Sequence, residues 1–455
     1  MPLHLTPDPA LRRLAEGRTL LGGSPYRVLR LTETGARLVD GWLAGGPVRD
    51  VPGHRRLAGQ LVRCGMAHPA RTGTRLTAAD VTAVVPVRDE AGAAELPPEL
   101  EQLAGCVVVD DGSARPLPGA TVRHDTSRGP AAARNTGWRL ARTDLVVFLD
   151  ADVTPEPGWL APLLAHFDDP DVAAVAPRVR SRPGPSALER YEMHRSPLDL
   201  GPLPAPVRPG SRVSYVPTAA LVVRVSALHR LGGFDEALRY GEDVDFVWRL
   251  AASGAQVRYE PASVVRHTPR RDWTAWARQR FGYGTSAAPL ALRHGTAVAP
   301  VKASPWTLAC WAALAAGRPK TAAATALATA ALLPRKLRPV GVPAGESLSL
   351  ALRGHWGAGR LLADAVTRSW WPAAVPALAA SPRGRLLLTA AFARHAVDWR
   401  KERPPLGLSP WLAARIADDL AYGAGVWWGA LRHRTTAPLR PDASPWPGRD
   451  GVRRT

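Results

Sequence analysis

The sequence predicts an α/β protein built on an open, mostly parallel sheet. Apolar runs short enough for buried strands recur at Val81–Val87, Cys106–Ser113 and Leu145–Leu149. The stretch between the second and third, Gly129–Ala141, has a helical composition. Acidic residues follow each run, at the carboxyl edge where such sheets bind ligands.

At 455 residues the chain exceeds one ordinary core, and three parts are expected: 1–77, 78–300 and 301–455. Met1 to Arg13 is polar and proline-punctuated rather than a basic tip before an apolar run, so the chain is expected to start in the cytosol. Cys64, Cys106 and Cys310 are far apart and lack metal-ligand spacing. They read as small buried hydrophobes in a reducing compartment. Net charge is +20, and beyond residue 300 there are 22 Lys and Arg against 8 Asp and Glu. Most attraction to anionic partners therefore lies in the tail.

Taken in order, Leu20–Leu31 alternates like a strand or hairpin, and Thr32–Gly46 and His54–Pro69 read as helices. Together they suggest a winged-helix arrangement, which binds nucleic acid or peptide or serves as a cap. A polar run ending at Thr77 links it to the α/β region. There Pro170–Val179 is a further strand candidate, and no Gly-rich phosphate loop is present. Phosphates bound here would need a metal to neutralise them. Beyond residue 300, Ser304–Gly317 and Thr321–Pro334 are apolar but shorter than the ~20 residues of a spanning helix. Ten of the 16 Trp lie in this tail beside Arg and Lys. That suits an anionic membrane surface, and equally a helical domain with a solvated basic face.

The central stretch TDLVVFLDADV delivers Asp150 and Asp152 to a strand end that turns at Thr154-Pro155. Two hard-oxygen carboxylates one residue apart suit Mg²⁺ or Mn²⁺ completed by substrate phosphates. Alone, the triplet reads as a solvated turn. Asp110-Asp111 ends the preceding strand, and Glu242-Asp243 opens a helix in GGFDEALRYGEDVDFVWRL, where either residue is a helix cap or a proton acceptor.

In chain order AVVPVRDE, VVVDDGS, SRGPAAARNTG, FLDADV and GEDVDFVWRL resemble the motifs of the family 2 glycosyltransferases of the GT-A fold. The resemblance implies a nucleotide-diphospho-sugar transferase sheet with Pro86, Arg88 and Glu90 at the donor and Asp111 against the base. By the same resemblance Arg134 and Asn135 should hold the helix beside the nucleotide, and Asp150 should contact the sugar. Asp152 would hold the metal, with His267 at the end of RYEPASVVRH reaching the metal or the diphosphate. Asp243 would be the general base, with Glu242 as the alternative. A PqqD-like N-terminal module, YEMHRSPLDLG, VSYVPTAALVVR and RFGYGTSAAPLALRH make the chain similar to the glycosyltransferases of mycofactocin biosynthesis. That similarity implies transfer of glucose from UDP-glucose to a peptide-derived redox cofactor, building a β-linked oligoglucan. The chain departs from processive family 2 synthases in having RQRFGYG at Arg278–Gly284 instead of QxxRW.

The alternative within the enzyme class is a lipid or cell-envelope polysaccharide acceptor. Arg278 and Arg280 read as a diphosphate clamp or a solvated basic face, and Tyr215, Val216 and Pro217 as an acceptor wall or a plain strand. Trp248 stacks on a sugar or is buried in its helix. A nucleic-acid binder would gather its basic residues on the N-terminal module, whereas here the excess charge sits in the tail. No nucleic-acid partner is expected, and the protein is placed in the cytoplasm, with the inner face of the membrane as a possible partner surface.

Overall fold

The computed structural model describes residues 3–70, 73–89, 97–444 and 452–454. The chain divides into two compact units. One comprises Met1–Pro9, Gly23–Pro25 and Gly41–Arg270, and the other Ala10–Gly22, Tyr26–Asp40 and Arg271–Thr455.

The first unit is organised around a nine-stranded sheet. Its order is Val153–Pro155, Gln256–His267, Val172–Ser181, Ala220–Arg224, Leu145–Leu149, Val81–Val87, Gly105–Asp110 and Val122–Arg123, with Ala205–Pro206 paired to Gln256–His267. Val81–Val87 and Leu145–Leu149 are almost entirely buried. Parallel strands covered on both faces need such continuous apolar sequence. One face packs Val81, Val85 and Val147 against Leu100, Trp159, Leu163 and Phe167. The other carries the helix Pro130–Trp138, whose Ala133 meets Val107 and Val109.

The sheet is mixed rather than mostly parallel. Val81–Val87 is parallel to both its neighbours, but Ala220–Arg224 runs antiparallel to Leu145–Leu149 and to Val172–Ser181. An apolar run carries no mark of direction. Direction here comes from the chain's return through the helix Ala187–Arg195 and the loop after it. Tyr215, Val216 and Pro217, read as wall or strand, lie in that loop just before Ala220.

The second unit holds a hairpin of Thr19–Gly22 with Arg27–Arg30 and a set of helices from Trp273–Thr285 to Leu408–Arg432. Those two helices approach closely because their contact is glycine: a Cβ on Gly284 would lie 2.1 Å from the Tyr422 carbonyl oxygen, and one on Gly425 2.0 Å from that of Phe281. Among the described residues no helix is long and apolar enough to cross a membrane.

Candidate active site

The site is assembled at the carboxyl ends of the parallel strands. After Gly105–Asp110 the chain turns through Gly112, whose positive φ of 68° suits glycine and whose Cβ would meet the Ser127 nitrogen at 2.5 Å. Asp111 ties that turn to the start of the next helix. Its carboxylate accepts from His124 Nδ1 at 2.8 Å, Ser127 Oγ at 2.9 Å, and the backbone N–H groups of Arg128 at 2.9 Å and Gly129 at 2.8 Å. Burial opposes its ionisation, but these donors outweigh burial and hold its carboxyl below the ordinary value. A carboxylate offers about four acceptor directions, and these four donors all come from the loop and its flanks.

The helix Pro130–Trp138 presses directly on the sheet: a Cβ on Gly137 would lie 2.3 Å from Val84 Cγ1. It projects Arg134 and Asn135, both buried. Arg134 donates to Asp150 Oδ1 at 2.7 Å and to Glu242 Oε1 at 2.8 Å, so one guanidinium joins the end of the central strand to the start of the Glu242–Ala252 helix. Burial alone would lower its pKa, but the charges of Asp150 and Glu242 raise it further. Asn135 donates to the Phe234 carbonyl at 2.8 Å and Glu236 Oε1 at 3.0 Å, and its own Oδ1 accepts from the Phe234 N–H at 2.9 Å. It thereby anchors the loop that leads into the acidic helix. Glu236 and Phe234 escaped the sequence reading, although they stand in the quoted GGFDEALRYGEDVDFVWRL stretch.

Asp150 and Asp152 end the central strand as expected. Asp150 lies above its ordinary pKa because burial outweighs the opposing pull of Arg134, and the Asp152 charge adds to the rise. Val153–Pro155 pairs antiparallel with the end of Gln256–His267, Val153 opposite His267, and Thr268 N–H bonds the Asp152 carbonyl at 3.0 Å. That pairing puts His267 Nε2 3.3 Å from Asp152 Oδ2. Burial would raise Asp152, but the His267 hydrogen bond and the charges of His267 and Arg270 hold it below its usual range. His267 Nδ1 is buried without a hydrogen-bond partner among the described residues. Among the described residues no three His, Cys, Asp or Glu side chains converge as a metal cluster. The donor chemistry nonetheless fits a divalent ion: an ionised carboxylate and an imidazole leave most of the shell to phosphate oxygens and water.

Asp243 is half-buried, and its Oδ1 accepts the Val244 N–H at 2.8 Å. Burial, reinforced by the neighbouring Glu242 charge, pushes its carboxyl up to about 7. Asp152, Asp150, Arg134, Glu242 and Asp243 thus form one electrostatically connected set.

Other expected residues lie elsewhere. Pro86 is half-buried in its strand, and Arg88 is exposed and paired with Asp89 at 3.4 Å. Asp89 has a φ of 55° and accepts the Ala114 N–H at 2.7 Å. Glu90 lies outside the described residues. Trp248 is buried, with Nε1 donating to the Ser214 carbonyl at 2.7 Å, as a helix residue rather than a sugar platform. Within the second unit Arg278 is exposed, while Arg280 is buried 3.5 Å from Asp418 and over the Trp276 ring, not on a solvated basic face.

The family model for glycosyl transferase family 2 matches residues 84–231. The chain is 43% identical over 458 residues to the pre-mycofactocin glycosyltransferase of Mycobacterium tuberculosis, in strains CDC 1551 / Oshkosh and H37Rv, covering 95% of this chain and 96% of that one. Among solved structures, the mannosyltransferase PcManGT from Pyrobaculum calidifontis in complex with GDP-Man and Mn²⁺ is 20% identical. It aligns with 77% of this chain and 87% of its own at a TM-score of 0.43. GalNAc-T7 with UDP, GalNAc and Mn²⁺ is 16% identical, with a TM-score of 0.33 over 50% of this chain and 53% of its own, so the chain spans about half of that protein.

Proposed function

The chain belongs to the pre-mycofactocin glycosyltransferases within glycosyl transferase family 2, and from that membership we propose that it moves glucose from UDP-glucose to a peptide-derived redox cofactor, with inversion, building a β-linked oligoglucan. The observation that carries the chemistry is the Arg134 bridge, which ties the Asp150–Asp152 strand end to the acidic helix start. That bridge sets the two acidic segments side by side, which supports a donor site and a base at one edge of the sheet.

Asp243 takes the acceptor hydroxyl's proton as that oxygen attacks the anomeric carbon. The bond to the diphosphate breaks with its electron pair leaving on UDP. Glu242 is the poorer base because Arg134 occupies it. Asp243 has one oxygen held by Val244 N–H and a pKa near neutrality, where a general base works best. Asp150 faces the donor sugar, oriented by Arg134, and Pro86 and Arg88 border the donor. Asp111 works one step back, holding the Ser127–Gly129 turn. Mg²⁺ or Mn²⁺ held by Asp152 and His267 would supply positive charge for the departing diphosphate, which is a stable anion and needs no general acid.

Mass spectrometry of small metabolites from cells carrying Asp243→Asn tests this reading. Loss of a hexose ladder on a peptide-derived small molecule is the expected result. An intact ladder with altered glycolipids would instead favour a lipid or cell-envelope acceptor.

A further inference from the structure

The second unit exposes apolar side chains in an order that a water-facing surface does not need. Of the large hydrophobic residues that are exposed among the described residues, Trp306, Leu314, Leu327, Leu332 and nine others lie beyond residue 300 together with Trp356, against five before it. On the helix Pro319–Leu337 the exposed face runs through Ala324, Leu327, Ala328, Ala331 and Leu332, with Lys320 before it and Arg335 and Lys336 after it, all exposed. On Ala344–Asp364, which packs against it, Leu348, Leu352 and Trp356 are spaced four apart on one face, and Arg360 continues the row. Trp356 is 69% exposed and Leu327 63%.

Helical spacing makes each row a continuous stripe, apolar in its middle and basic at its end. A packed core would bury Leu327 and Trp356, and a solvated face would not repeat Leu-Leu-Trp at every turn. Cationic ends beside an apolar, Trp-containing centre complement the headgroup and acyl layers of an anionic bilayer. The net positive charge of the region beyond residue 300 has the matching sign. Since no described helix is long and apolar enough to span, the contact is one of lying on the surface.

We propose that the second unit docks on an anionic membrane surface through the outward faces of Pro319–Leu337 and Ala344–Asp364. This goes beyond the transferase reading and does not depend on it.

The test is co-sedimentation of the full chain with vesicles of phosphatidylcholine alone or mixed with phosphatidylglycerol, at low and high salt. It compares wild type with the Leu348→Ser, Leu352→Ser, Trp356→Ser triple variant. These positions are exposed, so the variant should keep its melting transition and its helical circular-dichroism signal, which shows that it is folded. Binding confined to phosphatidylglycerol vesicles, weakened by salt and at least about tenfold weaker in the variant, is the expected result. Absence of binding, or equal binding by the folded variant, would overturn the proposal. So would a wild-type dimer in light scattering that the variant loses without any vesicle binding, since the stripe would then serve self-association.

Discussion

Glu242 and Asp243 are chain neighbours with the same functional group, but their surroundings separate their roles. Arg134 bonds Glu242 directly, while Asp243 accepts the Val244 N–H, and burial with the repulsion of its neighbour outweighs the more distant pull of Arg134. Its rise to about 7 has two consequences of opposite kind. The rate should climb with pH through about 7 as the base ionises, and Asp243→Asn should lower kcat by about a hundred- to ten-thousand-fold and abolish that limb. For stability, a carboxyl raised by folding is better accommodated protonated. Folding loses stability as pH rises from the ordinary carboxylate range through about 7. Asp243→Asn should therefore melt higher than wild type above neutral pH, and the difference should vanish in acid, as followed by thermal melts across pH. Arg134 is the complementary case. Arg134→Met would leave Asp150 and Glu242 facing each other in a buried site, at a cost of about 3–5 kcal/mol in denaturant unfolding. Arg134→Lys keeps the charge but lacks the fork that reaches both partners, so kcat should fall while the fold survives.

Among elements, the Pro130–Trp138 helix does the most with the least length. Its nine residues bring Asn135 against the Phe234 loop and Arg134 between two acids, and the helix can sit that low only because position 137 lacks a side chain. Gly137→Ala should cost about 1–3 kcal/mol, since the added carbon overlaps Val84 at the base of the sheet. Val84→Ala in the same chain should restore part of the loss, a non-additivity readable from denaturation midpoints. The Arg368 guanidinium plays a comparable part inside the second unit, bonding Asp418 at 3.0 Å and Asp419 at 2.8 Å and lying over the Tyr422 ring.

At the scale of the whole molecule, the first 77 residues are woven into both units. In one, Asp8 pairs with His68 at 2.9 Å and with Arg212 at 3.0 Å. In the other, Leu21 and Val28 pack with Leu337, Val340 and Val342, and Thr19 Oγ1 donates to the Val340 carbonyl at 2.8 Å. Deleting residues 1–77 should therefore uncover apolar surface in each unit. The truncated chain should lose its cooperative melt and most of its soluble yield, whereas an independent module would come away with neither effect.

What could be read in advance was local. Continuous burial on both faces demands the apolar runs of Val81–Val87 and Leu145–Leu149, and both strands begin and end where those runs do. The start of the acidic helix at Glu242 was legible in the same way, from apolar spacing that begins there. The antiparallel sense of Ala220–Arg224 was not, because a strand's periodicity is the same in either direction. Nor was the close seating of Trp273–Thr285 on Leu408–Arg432, which rests on glycine contacts between helices far apart in the chain. The sequence by itself determined which residue types stand at the strand ends and hence the class of chemistry they can support. Only the tertiary structure decided that Arg134 spans Asp150 and Glu242, that His267 faces Asp152, and that Asp111 accepts donors from its own loop and its flanks. Each of these is a contact between distant parts of the chain, set by strand pairing and helix seating, and no local pattern encodes such distances.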